Sequence, residues 1–465
     1  MGLSRRAFVS TLAAAPYVRA AGVLRAGAAT ANISPALGTS LAGFMTDRTA
    51  ADVHDELLVR CAALESGSTR LLLATIDSCM VPRAVLDRAR ARIAQENSME
   101  PACILMSSTH SHSAPPAMHL FQSLADEKYV AMLEQRLGDA AKMAFRRLRP
   151  ARVGAAAGRE PTLVFNRRYF MREGSIPADP FGRKSDKVLM NPPAQSPNIV
   201  RPAGPVDPEH ALIAAMGDDG KPIWVYGNYA LHYAGFNPAD HASADYFGAW
   251  ARRLESAAGG ECVALLSNGC SANVNGIDFT RATPAGRDYA VIERTAGTLA
   301  AESLRVLKRI RFSDSAALGG AMEEVELSTR RPSADELAGA VKLVGAAPAN
   351  NYRERPLIYA RETVFVAKYP TAVHAPVQGL RIGDAAIGAF PGETFVELGL
   401  QVKKASGFAT TLTVSIANDA CGYIPTAEGF ELGGYETWRA KTSYLEVHAA
   451  EKLASGVVRT LARVG

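Results

Sequence analysis

The sequence predicts an α/β fold, with a mixed β-sheet core and flanking helices in a single large domain. Three observations carry this. Short apolar runs bounded by Gly, Pro, Asn and Asp alternate with longer stretches of helical periodicity for most of the chain. Two pairs of runs are joined by tight polar turns, Glu65-Ser66-Gly67-Ser68-Thr69 and Gly217-Asp218-Asp219-Gly220, so part of the sheet is antiparallel. The 465 residues are 48% hydrophobic and 21% charged, which supplies a large core without the ~20-residue apolar run that a membrane helix needs.

Taken in order, Ser4-Arg5-Arg6-Ala7-Phe8 precedes an apolar stretch, Val9 to Val18, and then Arg19-Ala20-Ala21. A basic start, a short apolar middle and small residues read as an export signal over residues 1–20, of the twin-arginine type, leaving 21–465 as the exported domain in the periplasm or medium. Residues 22–34 predict a first strand. Leu57–Leu64 and Arg70–Asp77 form the first hairpin, and Asp77 closes it where a carboxylate could orient a histidine. Helices follow at Pro82–Asn97 and Asp126–Leu148, on either side of a buried strand that starts near Cys103. After a strand at 151–158, residues 172–209 lack periodicity and are rich in Pro, Gly and charge, as in a functional loop or lid.

The second hairpin spans 211–216 and 222–232 and ends in His232. A helix over Tyr246–Ala257 follows the cap signature Ser243-Ala244-Asp245. A strand at Cys262–Leu266 opens into the Gly/Ser/Asn loop 267–276, which permits close backbone approach. Further helices are expected at Tyr289–Ile310, Ser333–Ala347, Tyr352–Lys368, 394–405 and Ser443–Val464. Further strands are expected at 317–328, Ile382–Phe390 and Thr410–Ala417. No internal repeat is visible.

Composition excludes some roles. The formal charge of +5 is small, and no Lys/Arg block interleaves with aromatics, so nucleic acid is not the expected partner. Six scattered cysteines without a Cys-x-x-Cys read as buried free thiols rather than a disulfide framework.

The chemistry concentrates where strands end. His110 and His112 sit two apart at the end of an apolar strand, and because strand side chains alternate faces the two imidazoles are expected to project together. His232, the loop with Asn273 and Asn275, Glu393 and Tyr423 likewise follow strands. Two histidines with a carboxylate suit Zn²⁺ with an open position for water. Each residue alone also fits a packing or capping role.

These segments resemble, in order, the catalytic region of the neutral (alkaline, non-lysosomal) ceramidases. Thr109-His110-Ser111-His112-Ser113 resembles the family's Thr-His-Thr-His-Ser, and Asn166-Arg167 its Asn-Arg-Ser. The stretch from Lys221 to His232 resembles the hairpin that leads to its second zinc histidine. Pro391-Gly392-Glu393 resembles Pro-Gly-Glu, Gly422-Tyr423-Ile424-Pro425-Thr426 resembles Gly-Tyr-Val-Thr-Thr, and Tyr435-Glu436 the following Tyr-Glu-Gly. The resemblance implies that His110, His232, Glu393 and Tyr423 ligate Zn²⁺ and that His112, Arg167 and Tyr435 line the substrate site. It implies an amidohydrolase acting on a ceramide-like or other small-molecule or lipid N-acyl substrate, with transient membrane-surface contact.

The sequence also departs from the family. The family's Gly-Asp-Val-Ser-Pro is here Ala272-Asn273-Val274-Asn275-Gly276, so Asn275 stands where a serine nucleophile was a candidate. That favours an activated water and leaves a polar side chain at the site. Tyr233-Ala234-Gly235 also differs, and the family's C-terminal immunoglobulin-like domain is not expected. Two alternatives stay open: a zinc esterase or deacetylase acting on a small or carbohydrate substrate, and a non-catalytic exported binding protein.

Overall fold

The computed structural model describes residues 23–465 apart from 260, 285 and 287, with the backbone of Tyr17–Val18; the rest of the expected export segment lies outside the described residues. Twelve longer strands and their helices fall into three units of one topology. The first unit is β1 (Leu24–Asn32), β2 (Leu58–Ser66), β3 (Thr69–Ile76), α1 (Arg83–Glu96), β4 (Ile104–Ser108) and α2 (Glu127–Arg146). The second is β5 (Arg149–Arg159), β6 (Glu209–Gly217), β7 (Pro222–Tyr229), α3 (Asp245–Ala258), β8 (Val263–Asn268) and α4 (Ala290–Leu307). The third is β9 (Leu318–Ser328), the inserted helices α5 (Ala334–Val344) and α6 (Arg355–Val366), β10 (Ala372–Ile382), β11 (Ala385–Ala389), α7 (Val396–Ala405), β12 (Thr410–Val414) and, after the short α8 (Ala427–Leu432), α9 (Ala449–Val464).

In every unit the first three strands are antiparallel and the fourth runs parallel to the third after a helical crossover. The first two units join through a short β1–β5 pairing into one eight-stranded sheet, ordered β8-β7-β6-β5-β1-β2-β3-β4. The third unit makes a second sheet, β9-β10-β11-β12, with Tyr17–Val18 on its β9 edge.

Burial on both faces explains why the strands read as apolar runs rather than clean alternations. Leu64, Leu73, Leu105, Ile213 and Tyr226 of the first sheet meet Leu380, Ile387 and Leu412 of the second in one core. The opposite faces pack against α1 and α2, against α3 and α4, and against α7 and α9. The layers are therefore helix, sheet, sheet, helix, in a single mixed α/β domain.

The topology puts the C-terminal ends of the first, third and fourth strands of each unit on one edge. The long insertions, residues 33–57, 160–208 and 329–371, all follow the first strand of a unit and rise from that edge. The 160–208 insertion is more ordered than the loop expected from sequence: Arg168–Met171 pairs on its two sides with Val188–Met190 and Ile199–Pro202.

Two sequence expectations need correction. Residues 372–382 form a strand that the sequence reading missed, and the last helix starts at Ala449 rather than Ser443, because Ser443 is held in a bridge to Gly422. All six cysteines are buried free thiols. Among the described residues no helix is long and apolar enough to cross a membrane.

Candidate metal centre and its chamber

Each unit delivers side chains to the same edge. His110 follows β4, His232 follows β7, Glu393 follows β11 and Tyr423 follows β12. Glu393 and Tyr423 are register partners in a two-residue parallel bridge. The convergence of His110 and His112 does not come from strand alternation, because β4 stops at Ser108 and His110 has φ +73°. A left-handed backbone at a β-substituted residue costs energy and is characteristic of functional sites. The two rings therefore meet edge-on, with centroids 4.6 Å apart at 80°.

The imidazoles converge through their Nε2 atoms. His110 Nε2 lies 3.0 Å from His232 Nε2 and 3.0 Å from His112 Nε2. Glu393 Oε2 lies 3.2 Å from His110 Nε2 and 3.6 Å from His232 Nε2. His110 Nδ1 faces the Cys79 carbonyl at 2.9 Å, and His232 Nδ1 faces the Ser271 carbonyl at 3.2 Å. A carbonyl can only accept, so both Nδ1 atoms carry a proton, and it is the Nε2 atoms, bare in the neutral rings, that turn inward. Glu393 Oε2 is buried without a hydrogen-bond donor. Two lone pairs and an unsatisfied carboxylate oxygen thus face a common point, as expected for a cation site. His110, His232 and Glu393 form one such group, and Cys79, His110 and His112 form another.

Cys79 was not singled out from sequence. It stands three residues beyond the end of β3, as His232 stands three beyond the end of β7, and that place is the signal that marks it. Burial opposes charging His110, but the Cys79 and Glu393 side chains outweigh it and push its imidazole well above the ordinary histidine value, so the same negative surroundings that favour a cation hold a proton on this ring when no cation is bound. Burial, reinforced by His110 and Arg167 for both rings, holds His112 and His232 well below that value.

Asp77 does not orient a histidine. It is fully buried, and its Oδ2 accepts from Arg60 Nη1 at 2.6 Å and Leu58 N at 2.9 Å, closing the first hairpin.

Arg167 is brought to the site because Phe165–Asn166 pairs antiparallel with Val274–Asn275, and its own N–H donates to Asn273 O at 2.9 Å. Its Nε donates to Glu436 at 3.0 Å and its Nη2 to the Tyr423 phenol oxygen at 3.2 Å. Burial pushes the Tyr423 phenol well above its usual pKa. Tyr435 packs edge-on against Tyr423, with centroids 5.5 Å apart. Asn275 Nδ2 donates to Asn191 Oδ1 at 2.9 Å, and its Oδ1 accepts from Ile277 N at 3.1 Å.

Two spaces adjoin the cluster. A small space of about 30 Å³ touches His110, Glu393, Tyr423 and Tyr435 and is lined on its apolar side by Met80, Leu120 and Phe121. A chamber of about 440 Å³ opens on the other side of His112, bounded by Arg48, Arg167, Tyr233 and Asn275. Tyr233 stacks on the His112 ring at 3.9 Å. The turn after Tyr233 is fixed by Asp245, whose carboxylate accepts from Ala234 N and Gly235 N at 2.9 Å each. Asp245 was read as part of a helix cap, and it also clamps the chamber wall, with φ +54°.

No protein-family model and no curated protein sequence matches the chain. Solved structures do. The neutral ceramidase from Pseudomonas aeruginosa superimposes with a TM-score of 0.69 at 15% identity, over 96% of this chain and 74% of that one. A ceramidase complexed with C2 gives the same score and identity over 96% and 75%. This likeness is one of fold: the chain shares the mixed α/β architecture of these ceramidases.

Proposed function

We propose that the protein is a zinc-dependent hydrolase of N-acyl amide bonds. The observation that carries this is the inward pair of bare Nε2 atoms beside the orphaned Glu393 oxygen. His110, His232 and Glu393, with the Tyr423 phenol as fourth donor, suit Zn²⁺ in ligand type, burial and carbonyl-fixed tautomer. When bound, Zn²⁺ supplies Lewis-acid chemistry, polarising an amide carbonyl and lowering the pKa of a water toward ~7.

The chain's own groups do the rest. Arg167 holds the Tyr423 oxygen in place through its Nη2 donor. His112, part-buried between the cluster and the chamber, is positioned to carry a proton to the departing amine, which must leave protonated. Asn275 has both ends of its amide engaged and shapes the wall rather than attacking, which agrees with water as the nucleophile. Tyr435 lines the small space beside Tyr423. Water adds to the carbonyl carbon, the C–N bond breaks, and carboxylic acid and amine result. The structural likeness to ceramidases supports an N-acyl substrate of the ceramide type, and the N-terminal pattern supports export of residues 21–465. A second reading, an esterase or deacetylase acting on a small polar substrate, is favoured by the polar side chains in the chamber wall, Arg48, Arg167, Asn191 and Asn275.

Metal analysis beside turnover tests this. Purified protein should hold close to one zinc per chain and lose amide hydrolysis to a chelator. His110→Ala and Glu393→Gln should each lose most of the zinc and the turnover, while Asn275→Ala keeps part of it. Full activity in either ligand variant would remove the proposed site.

A further inference from the structure

The chamber beside His112 carries two guanidinium groups from different insertions. Arg48, from the insertion after β1, lies 4.0 Å over the Phe44 ring and donates to the carbonyls of Ala42, His112 and Ala239. Arg167, from the insertion after β5, is fixed by Glu436 and Tyr423, and its Nη1 makes no hydrogen bond with the described residues. The field of both guanidiniums reaches His112 and Tyr233. No carboxylate stands among the described residues that line the chamber. Glu436 is buried behind Arg167 and shared with Arg168 at 3.5 Å, and the other carboxylate acting on Arg167, Glu393, belongs to the cluster rather than to the chamber wall. The chamber is therefore net positive, and its other polar walls, Asn191 and Asn275 among them, are neutral.

The dimensions point the same way. A volume of about 440 Å³ lies in the range of small-molecule sites. The void of about 30 Å³ at the cluster has room for about one water. A neutral substrate with two long chains would lay hydrocarbon against the two guanidiniums, whereas an oxyanion would add charge-assisted hydrogen bonds to them.

Resting on the amide-hydrolase reading above, we propose that the substrate is a small N-acyl compound bearing an oxyanion, a carboxylate or a phosphate ester, which docks between Arg48 and Arg167 while its amide lies at the histidine cluster.

The test uses matched pairs on the zinc-loaded protein: an N-acetyl amino acid against its carboxamide, and an N-acetyl amino alcohol phosphate against the free alcohol, with a fluorescent long-chain ceramide beside them. The anionic member should exceed its neutral partner in kcat/KM by roughly 10- to 100-fold, the worth of a hydrogen bond to a charged group. The pair with the larger ratio identifies the oxyanion. Arg48→Met should bring the ratio close to one, mainly through KM, and Arg48→Lys should restore part of it; thermal melting checks that both variants fold. Calorimetric binding of the same pairs to the Glu393→Gln variant reads the anion preference without turnover. Preference in binding with no hydrolysis of any amide would remove the hydrolase reading and leave the anion site standing. Hydrolysis with equal rates for charged and neutral partners, or with ceramide ranking first, would overturn the anion site and keep the hydrolase.

Discussion

His110 sits in a left-handed backbone because its N–H must donate to Ser78 O at 2.9 Å while its ring turns toward His232. That placement depends on a neighbour. Gly43, with φ +101°, lies so close that a Cβ built on it would stand 2.5 Å from His112 Cβ and Cγ. Gly43→Ala should displace His112 from the cluster and reduce turnover at least about tenfold, a 1.4 kcal/mol effect, while the far-UV spectrum stays unchanged. Undiminished turnover would mean that the His112 position does not matter. The residue types of the cluster were legible in the sequence because each follows an apolar strand. Their geometry was not: the turn at 109–112, the Cys79 carbonyl and the Gly43 contact are tertiary facts without a local pattern.

At the scale of elements, β6 is tied to its covering helices by a buried histidine. His210 Nδ1 donates to Asn228 O at 3.1 Å, and its Nε2 shares Ser303 Oγ of α4 with Trp250 Nε1 of α3. Burial lowers the His210 pKa to about 4. The unfolded chain takes up that proton near pH 6.5 and the folded one does not, so stability falls as pH drops from about 6.5 to about 4, by roughly 3 kcal/mol in all. His210→Gln cannot titrate and should flatten urea-denaturation stability over that window; an unchanged slope would exclude His210 as its source. The strand missed in sequence has an equally physical cause. β10 contains Pro376, which reads as a strand breaker, yet β11 pairs only with Gln378–Ile382, so Pro376 lies where the strand has one neighbour, β9, and no second ladder needs its N–H. Helix boundaries were read more closely where caps mark them, as at Asp126, whose carboxylate accepts from Lys128 N and Tyr129 N, and in the Ser333/Glu336 capping box.

For the molecule as a whole, stability rests on the seam between the two sheets. Ile387 is fully buried there. Ile387→Ala should lower the unfolding free energy by about 2–5 kcal/mol, with metal content unchanged in the folded fraction; a shift below about 1 kcal/mol would show that the seam relaxes freely. The α/β class was legible from the alternation of runs, but the threefold topology was not. The insertions at 33–57, 160–208 and 329–371 differ in length and composition and separate the first two strands of every unit, so no fixed period survives in the sequence.

That topology has a consequence for how the protein matures. His110 belongs to the first unit, His232 to the second, and Glu393 and Tyr423 to the third. None of the three holds the proposed donor set alone, and no two hold it all. In the proposed centre, zinc capture would be an interlock: the complete donor set exists only once the third unit has docked on the first two, so an occupied centre would report that all three have come together.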